Sequence, residues 1–184
     1  MNTQIITTSI YTSPCGSLML GEHNGHICLC DWTDSTHASA VISRLSRHLR
    51  ATTAEGSSEL LAEAARQLDS YFSGQLRHFT LPLCLCGTPF QKSVWEALLS
   101  IPFGATLTYG DLAALVGKQQ AVRAVANAVG ANAISVIIPC HRIIGAGGAL
   151  TGYAGGLAAK SALLNIERKC TPPAYDAYKQ KKRP

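Results

Sequence analysis

One stretch decides the fold expected for the second half of this chain: Ile134-Ser135-Val136-Ile137-Ile138-Pro139-Cys140-His141-Arg142-Ile143-Ile144. Its first five residues are mostly β-branched, which predicts a buried strand that ends at Pro139. A cysteine and a histidine follow at the exit of that strand. A thiol beside an imidazole is the general pattern of an activated nucleophile. A Cys-His dipeptide alone is more often structural, so the pair needs support from its surroundings.

The residues before this stretch predict three helices. Thr88-Pro89-Phe90-Gln91 has the cap, proline and glutamine of a helix start. Thr108 caps a second helix that ends before Gly117, and Ala121–Ala131 forms a third. Two helices joined by a glycine-containing turn indicate a helix-turn-helix. The third helix has almost only small residues, which fits either tight packing in a core or close approach to DNA. After the cysteine, a last helix is predicted over Leu157–Ile166.

The first half reads as strands followed by helices, which indicates a small α+β domain. Short strands are predicted over Gln4–Thr12, Ser17–Glu22 and His26–Trp32, with a last one near His78–Leu83. Hydrophobic spacing predicts helices over His37–Leu49 and Ser58–Phe72. No residue of this half has a pattern that favours a catalytic role over a structural one.

Charge and cysteine content narrow the classes of function. Among 184 residues, net charge is −2 over residues 1–87 and +7 over 88–184, so the second half is expected to meet a polyanion. Seven cysteines without an export signal indicate reduced thiols in the cytoplasm. The pairs Cys28/Cys30 and Cys84/Cys86 are expected to be packed thiols, with a zinc site as the alternative. We expect no cofactor, no bound metal and no association with a membrane.

Several motifs together resemble one family. Pro139-Cys140-His141-Arg142-Ile143 resembles the P-C-H-R-V/I active-site motif of the O6-alkylguanine-DNA alkyltransferases, and the similarity covers residues 87–168. Ser13-Pro14-x-Gly16 and Leu68-x-x-Tyr71-Phe72-x-Gly74 are similar to the family's first domain. The resemblance implies an α+β protein with a ribonuclease-H-like α/β N-terminal domain (residues 1–86) and a winged helix-turn-helix-like C-terminal domain (87–170). A basic tail (171–184) is expected to follow and to be flexible, either solvated or in contact with phosphates.

The resemblance also implies the roles of individual residues. Cys140 is the implied alkyl acceptor, His141 its water-linked base, Glu167 the carboxylate behind it, Tyr109 the proton donor and Asn132 the hinge. Substrate contacts are implied for Tyr109, Cys140, Ile143, Tyr153, Ala154 and Gly155. DNA contacts are implied for the arginine finger Arg123 and for Ala124, Ala126, Asn127 and Gly130. Some members have a serine at position 154, so Ala154 lacks a donor, which affects bulky adducts most. Arg142 is expected to pair across the domain interface.

The function implied is direct-reversal DNA repair. An alkyl group, mainly methyl, would move once and irreversibly from O6-alkylguanine in double-stranded DNA to Cys140, with O4-alkylthymine left open as a substrate. The base must leave the helical stack for this. One alternative is an alkyltransferase-like module that binds lesions without transfer, although such proteins lack the acceptor cysteine. Another is a Cys-His hydrolase, which would not need Tyr109, Arg123 or a basic half. No obligate protein partner is expected.

Overall fold

A computed structural model of the chain describes residues 4–171, and the predicted α+β class is confirmed. The first half contains four strands and two helices: β1 (Gln4–Ser13), β2 (Gly16–His23), β3 (His26–Trp32), α1 (Ala38–Leu49), β4 (Ala51–Glu55) and α2 (Glu59–Phe72). The second half contains four helices and two short strands: α3 (Pro89–Leu99), β5 (Leu107–Thr108), α4 (Tyr109–Leu115), α5 (Val122–Gly130), β6 (Ile143–Ile144) and α6 (Gly156–Lys169). The basic tail predicted over 171–184 lies, apart from Thr171, outside the described residues.

The sheet of the first half has the strand order β3-β2-β1-β4. Tight turns join β1, β2 and β3 as antiparallel neighbours, whereas β4 pairs with β1 in parallel after the crossover through α1. Helix α1 packs with Ile6 and Leu29 in one core. Helix α2 packs with Leu18 and Leu20 in another. The second core continues into the other half of the chain, so the two halves share it.

Helices α3 and α4 begin where their caps predict. Thr88 and Thr108 each form a capping box, with Gln91 and Asp111 as the reciprocal partners. Gly117 follows α4 with φ +67°, a left-handed conformation that glycine adopts without steric cost. Helices α4 and α5 therefore form the predicted helix-turn-helix, and α5 packs against α3.

The strand predicted over Ile134–Ile138 is wrong. These residues form consecutive turns, and only Ile134 makes a single bridge, to Cys30 of β3. Val136 has φ +71°, which is unusual for a β-branched residue and breaks any extended run. The segment is apolar because it is buried between the two halves, and burial alone does not distinguish a strand from a packed turn.

Two further differences concern the edges of the sheet. The strand expected near His78–Leu83 is reduced to one bridge between Leu83 and Ile27. Strand β4 was not predicted, because four of its five residues are exposed and its sequence has no alternation of apolar residues. Its position depends on parallel pairing with β1, from Gln4↔Ala51 to Thr8↔Glu55. Such long-range pairing leaves no local pattern in the sequence.

Candidate active site

The sulfur of Cys140 lies at the start of a short 3-10 turn, Cys140–Arg142, and the residue is only 7% exposed. The backbone N–H of Cys140 donates to Ile138 O at 2.7 Å, and its carbonyl accepts from the N–H of Ile143. Burial raises the pKa of the Cys140 thiol to about 11, and a hydrogen bond from Asn132 only partly offsets this. The thiol is therefore protonated at neutral pH and needs a base before it can attack.

Asn132 holds the turn on which Cys140 sits. Its Nδ2 donates to Ile138 O at 3.1 Å and to the Cys140 sulfur at 3.3 Å. Its Oδ1 accepts from the N–H of Ile134 at 2.9 Å. One buried side chain thus fixes both ends of the apolar segment and contacts the sulfur.

His141 points its Nε2 at a buried carboxylate. The distance from Nε2 to Glu167 Oε1 is 2.8 Å, and both side chains are fully buried. Burial lowers the pKa of His141, although Glu167 partly opposes the shift, so the imidazole is neutral at pH 7. With Nε2–H donating to Glu167, Nδ1 carries the free lone pair, and Nδ1 has no hydrogen-bond partner among residues 4–171. In this tautomer the imidazole can accept a proton at Nδ1.

Glu167 accepts hydrogen bonds from four residues, which are His141, Arg142, Gly104 and Tyr71. Besides His141, Arg142 donates through Nε and Nη2 at 2.9 to 3.1 Å, and the N–H of Gly104 donates to Oε2 at 2.8 Å. Burial alone would raise the pKa of Glu167, but His141 and Arg142 together hold it at about 2. The carboxylate is therefore ionised at all physiological pH values and fixes the imidazole through a charge-assisted hydrogen bond.

Arg142 has the expected structural role, but not across the domain interface. Its guanidinium bonds Glu167 and donates to Ile101 O at 2.6 Å, and both partners belong to the second half. Tyr71 of α2 does reach this network across the interface: its hydroxyl donates to Glu167 Oε1 at 2.8 Å and lies 3.3 Å from His141 Nε2. Sequence reasoning named Tyr71 only within a motif of the first domain and gave it no role in the site, although it stands three residues after Leu68 on the buried face of α2.

Lys160 is a second residue to which sequence reasoning gave no role in the site. It is fully buried on α6, and its Nζ donates to Thr151 O at 2.6 Å and to Gly152 O at 3.4 Å. Its charge lowers the pKa of Cys140. A lysine four residues before Leu164 and seven before Glu167, on the buried face of α6, was the available signal. Lys160 anchors the first two residues of the loop before α6.

Tyr109 and Tyr153 lie near Cys140, which adds to the effect of burial in raising the pKa of both phenols. Tyr153 belongs to the loop of residues 151–155 before α6, here called the active-site loop. Burial raises the pKa of Tyr109, a hydrogen bond with Thr151 lowers it, and the nearby Cys140 raises it further. The phenol therefore keeps its proton at neutral pH. Tyr153, Ala154 and Gly155 are half-buried in the loop, and Ile143 is fully buried.

The residues expected to contact DNA share one surface of α5. Arg123, Ala124, Asn127 and Gly130 are exposed and Ala126 is half-buried, whereas Val125, Ala128 and Val129 face the core. Apart from Arg123 and Asn127, this exposed surface is made of small side chains. It would let the helix backbone approach a groove closely while one long cation extends from it.

Residues 4–171 contain neither a cluster of metal ligands nor a membrane-spanning helix. No group of three or more His, Cys, Asp or Glu side chains converges there as metal ligands, so neither C-x-C pair gains support as a zinc site. All seven cysteines are free thiols. Over the same residues, no helix combines the length and apolar character needed to cross a bilayer.

Comparison with known proteins gives matches over nearly the whole described chain. Residues 6–85 match the ribonuclease-like domain of 6-O-methylguanine DNA methyltransferase, and residues 89–169 match its DNA binding domain. The methylated-DNA–protein-cysteine methyltransferase of Mycobacterium leprae is 43% identical over 156 residues, covering 85% of this chain and 88% of that protein. The protein of the same name from Methanosarcina acetivorans is 53% identical over 112 residues, covering 61% of this chain and 72% of its own.

Solved structures give the same result. The O6-methylguanine methyltransferase of Mycobacterium tuberculosis superposes with a TM-score of 0.77 at 38% identity, covering 94% of this chain and 99% of that one. The Mycobacterium tuberculosis protein OGT in complex with DNA superposes with a TM-score of 0.75 at 38% identity, covering 95% and 99%. The two-part architecture expected from the sequence, a ribonuclease-like unit followed by a helical DNA-binding unit, is thereby confirmed.

Proposed function

The chain belongs to the 6-O-methylguanine DNA methyltransferase family, and on this premise we propose that Cys140 is the residue that accepts the alkyl group. The chain binds DNA and repairs it by direct reversal, moving an alkyl group from the damaged base to one of its own cysteines. The lesion proposed is O6-alkylguanine in double-stranded DNA. The product is a thioether, so each molecule acts once.

Activation of the thiol is the first chemical requirement. Because the pKa of Cys140 is about 11, its proton must pass to a base as the sulfur attacks. His141 is neutral, and Nδ1 can take this proton directly or through one water molecule. Glu167 stabilises the imidazolium that results, since it is ionised and hydrogen-bonded to Nε2. Asn132 and Lys160 provide a hydrogen bond and a positive charge for the developing thiolate.

Departure of the guanine is the second requirement. The sulfur attacks the alkyl carbon in line with the bond to O6, the new C–S bond forms, and the electrons of the C–O6 bond pass to the base. Tyr109 is the proposed donor of the proton that neutralises them, because its phenol is protonated and close to Cys140. Over the whole reaction, the proton released by the Cys140 thiol replaces the proton that Tyr109 donates to guanine, so the net change is one proton moved from sulfur to the base.

The observation that carries this proposal is the buried chain of contacts from Asn132 to the Cys140 sulfur and from His141 to Glu167. The test is to mix the protein with a duplex that contains one O6-methylguanine, digest it, and weigh the peptides. We expect the peptide with Cys140 to gain the mass of one CH₂ group, with the other six cysteines as internal controls. Methyl on another cysteine would overturn the assignment, and binding without any mass change would favour a lesion-binding module.

Arg123 is proposed to occupy the space left by the extruded base. It is exposed on α5, the helix that presents small side chains outward. Because flipping costs a few kcal/mol, we expect Arg123→Ala to slow repair of duplex DNA by about tenfold or more. Reaction with free O6-benzylguanine base needs no flipping and should keep its rate. Both rates are measured under single-turnover conditions.

Arg168→Ala is the matched control for this variant. Arg168 is exposed near the end of α6, so its removal subtracts the same charge away from the α5 surface. It should change both reactions little once ionic strength is held constant. If Arg123→Ala slowed the reactions with duplex DNA and with the free base equally, the proposed role of Arg123 in base flipping would be wrong.

A further inference from the structure

The end of strand β3 makes three successive contacts with the active-site half of the chain. The N–H of Cys30 donates to Ala133 O at 2.9 Å, beside Asn132. Asp31 accepts from the hydroxyl of Ser135 at 2.9 Å. Trp32, the last residue of β3, reaches the active-site loop instead. The ribonuclease-like domain therefore touches both segments that surround Cys140.

The contact of Trp32 with the loop is unusually close. Its indole lies edge-on to the ring of Tyr153, with 6.0 Å between centroids. A Cβ atom built on Gly155 would stand 2.5 Å from Cε2 of the indole, so any side chain at this position would force the loop or the indole to shift. Gly155 has φ −81°, which any residue can adopt. The need for glycine here is consequently steric, and the neighbour that imposes it is Trp32.

A cavity of about 290 Å³ adjoins this contact. One side is formed by the turn before β2 and by the residues after β3. The other side is the active-site loop from Tyr153 to Gly155, with Gly156 at the start of α6. Trp32 is part of its wall and is itself only 4% exposed. The loop is thus held at one point by a rigid aromatic side chain, with open space beside that point.

We propose that Trp32 is a specificity-determining residue, whose indole blocks the retreat of the active-site loop and so limits the size of alkyl group that fits beside Cys140. The proposal rests on the function proposed above, in which this loop contacts the substrate. A methyl group requires no displacement of the loop, whereas a benzyl group does. Trp32 acts through Gly155 and Tyr153 and does not itself touch the reacting atoms.

Two single variants should shift specificity in opposite directions. Trp32→Leu removes the rear wall, so transfer from O6-benzylguanine in duplex DNA should rise about tenfold relative to O6-methylguanine, as for one or two methylenes in an apolar pocket. Gly155→Ala pushes the loop away from the indole and towards the substrate. It should lower the same ratio by about tenfold. The measurement is the single-turnover rate with each duplex.

The double variant Trp32→Leu/Gly155→Ala distinguishes a steric contact from general damage. The smaller leucine makes room for the new methyl group, so the benzyl-to-methyl ratio should return to within about twofold of the wild type. Leu45→Ala is the control for lost core volume, because Leu45 is buried in the separate core around α1. It should leave the ratio unchanged even if the protein becomes less stable.

The outcomes separate this inference from the function on which it rests. Suppose that the wild-type protein transfers both groups, that each single variant slows both transfers equally, and that the two effects add in the double variant. Trp32 then only supports the fold, and the inference is overturned. If the wild-type protein transfers neither group to Cys140, the proposed function fails first. Because Gly155→Ala tests the contact without removing any core side chain, it decides the matter even if Trp32→Leu does not fold.

Discussion

A Cys140→Ser variant is expected to lose alkyl transfer by a factor on the order of 10⁶, the cost typical of removing a catalytic nucleophile, while its affinity for DNA is kept. The hydroxyl of serine has a far higher pKa than a thiol, and its oxygen is a much weaker nucleophile than sulfur toward an alkyl carbon. The change replaces one buried atom in a turn held by Asn132. The DNA-contact surface on α5 is made of other residues and should be unaffected.

The measurement pairs two assays on the same preparation. Transfer is followed as loss of radiolabelled methyl from a duplex with one O6-methylguanine, and binding by fluorescence anisotropy of the same duplex at fixed salt. Salt must be fixed because phosphate contacts make affinity depend steeply on it. Equal loss of binding and transfer would mean that Cys140 supports the fold or the DNA surface and is not the acceptor.

Cys84→Ser provides the matched control. Cys84 is a half-buried free thiol in the ribonuclease-like domain, and its sulfur lies 3.6 Å from that of Cys86. The same exchange of sulfur for oxygen should leave both transfer and binding close to the wild type. A large loss in Cys84→Ser would show that this domain contributes a thiol to the reaction, which the proposed mechanism does not include.

Local signals in the sequence were sufficient for the helices. Caps such as Thr88 and Thr108 act within one turn of the chain, so they are legible without the tertiary structure. The Cys-His pair was equally legible as a possible nucleophile. The run Ile134–Ile138 was misinterpreted, because hydrophobicity reports burial and not backbone shape, and Val136 turns the chain at φ +71°.

The contacts between the two domains could not be predicted from local pattern. Tyr71 reaches Glu167 over 96 residues of sequence, and Asp31 reaches Ser135 over 104. Nothing in the spacing of either pair indicates the other partner. Lys160 and Tyr71 could only have been noted as polar groups on otherwise apolar helix faces. Their partners, the active-site loop and a buried carboxylate, became clear from the folded arrangement alone.

Glu167→Gln is expected to lower both stability and activity strongly. The carboxylate balances the charge of Arg142, which is 6% exposed, so the variant leaves a buried guanidinium without its counter-ion. Removal of one partner from a buried ion pair costs about 3–5 kcal/mol in the free energy of unfolding. Transfer should fall by at least about a hundredfold, because the amide cannot stabilise an imidazolium or fix the His141 tautomer as a carboxylate does.

The pH dependence of stability provides a second test of the same network. The pKa of Glu167 is about 2 in the folded protein, against an ordinary value of 4.5. A carboxyl with a lowered pKa stabilises the fold fully above its unfolded pKa, and this contribution is lost as pH falls from about 4.5 to about 2. The difference in unfolding free energy between wild type and Glu167→Gln, measured by urea titration, should therefore be constant near neutral pH and shrink in acid.

Glu63→Gln separates this effect from the general loss of a carboxylate. Glu63 pairs with Arg66 at 2.6 Å on the exposed face of α2, where solvent screens the interaction, so stability and transfer should both stay close to the wild type. Tyr71→Phe removes a single hydrogen bond to Glu167 and should give a smaller loss than Glu167→Gln. If Glu167→Gln were as stable and active as Glu63→Gln, the buried carboxylate would be neither the counter-ion of Arg142 nor the support of the His141 base. Proton transfer from Cys140 would then require another acceptor.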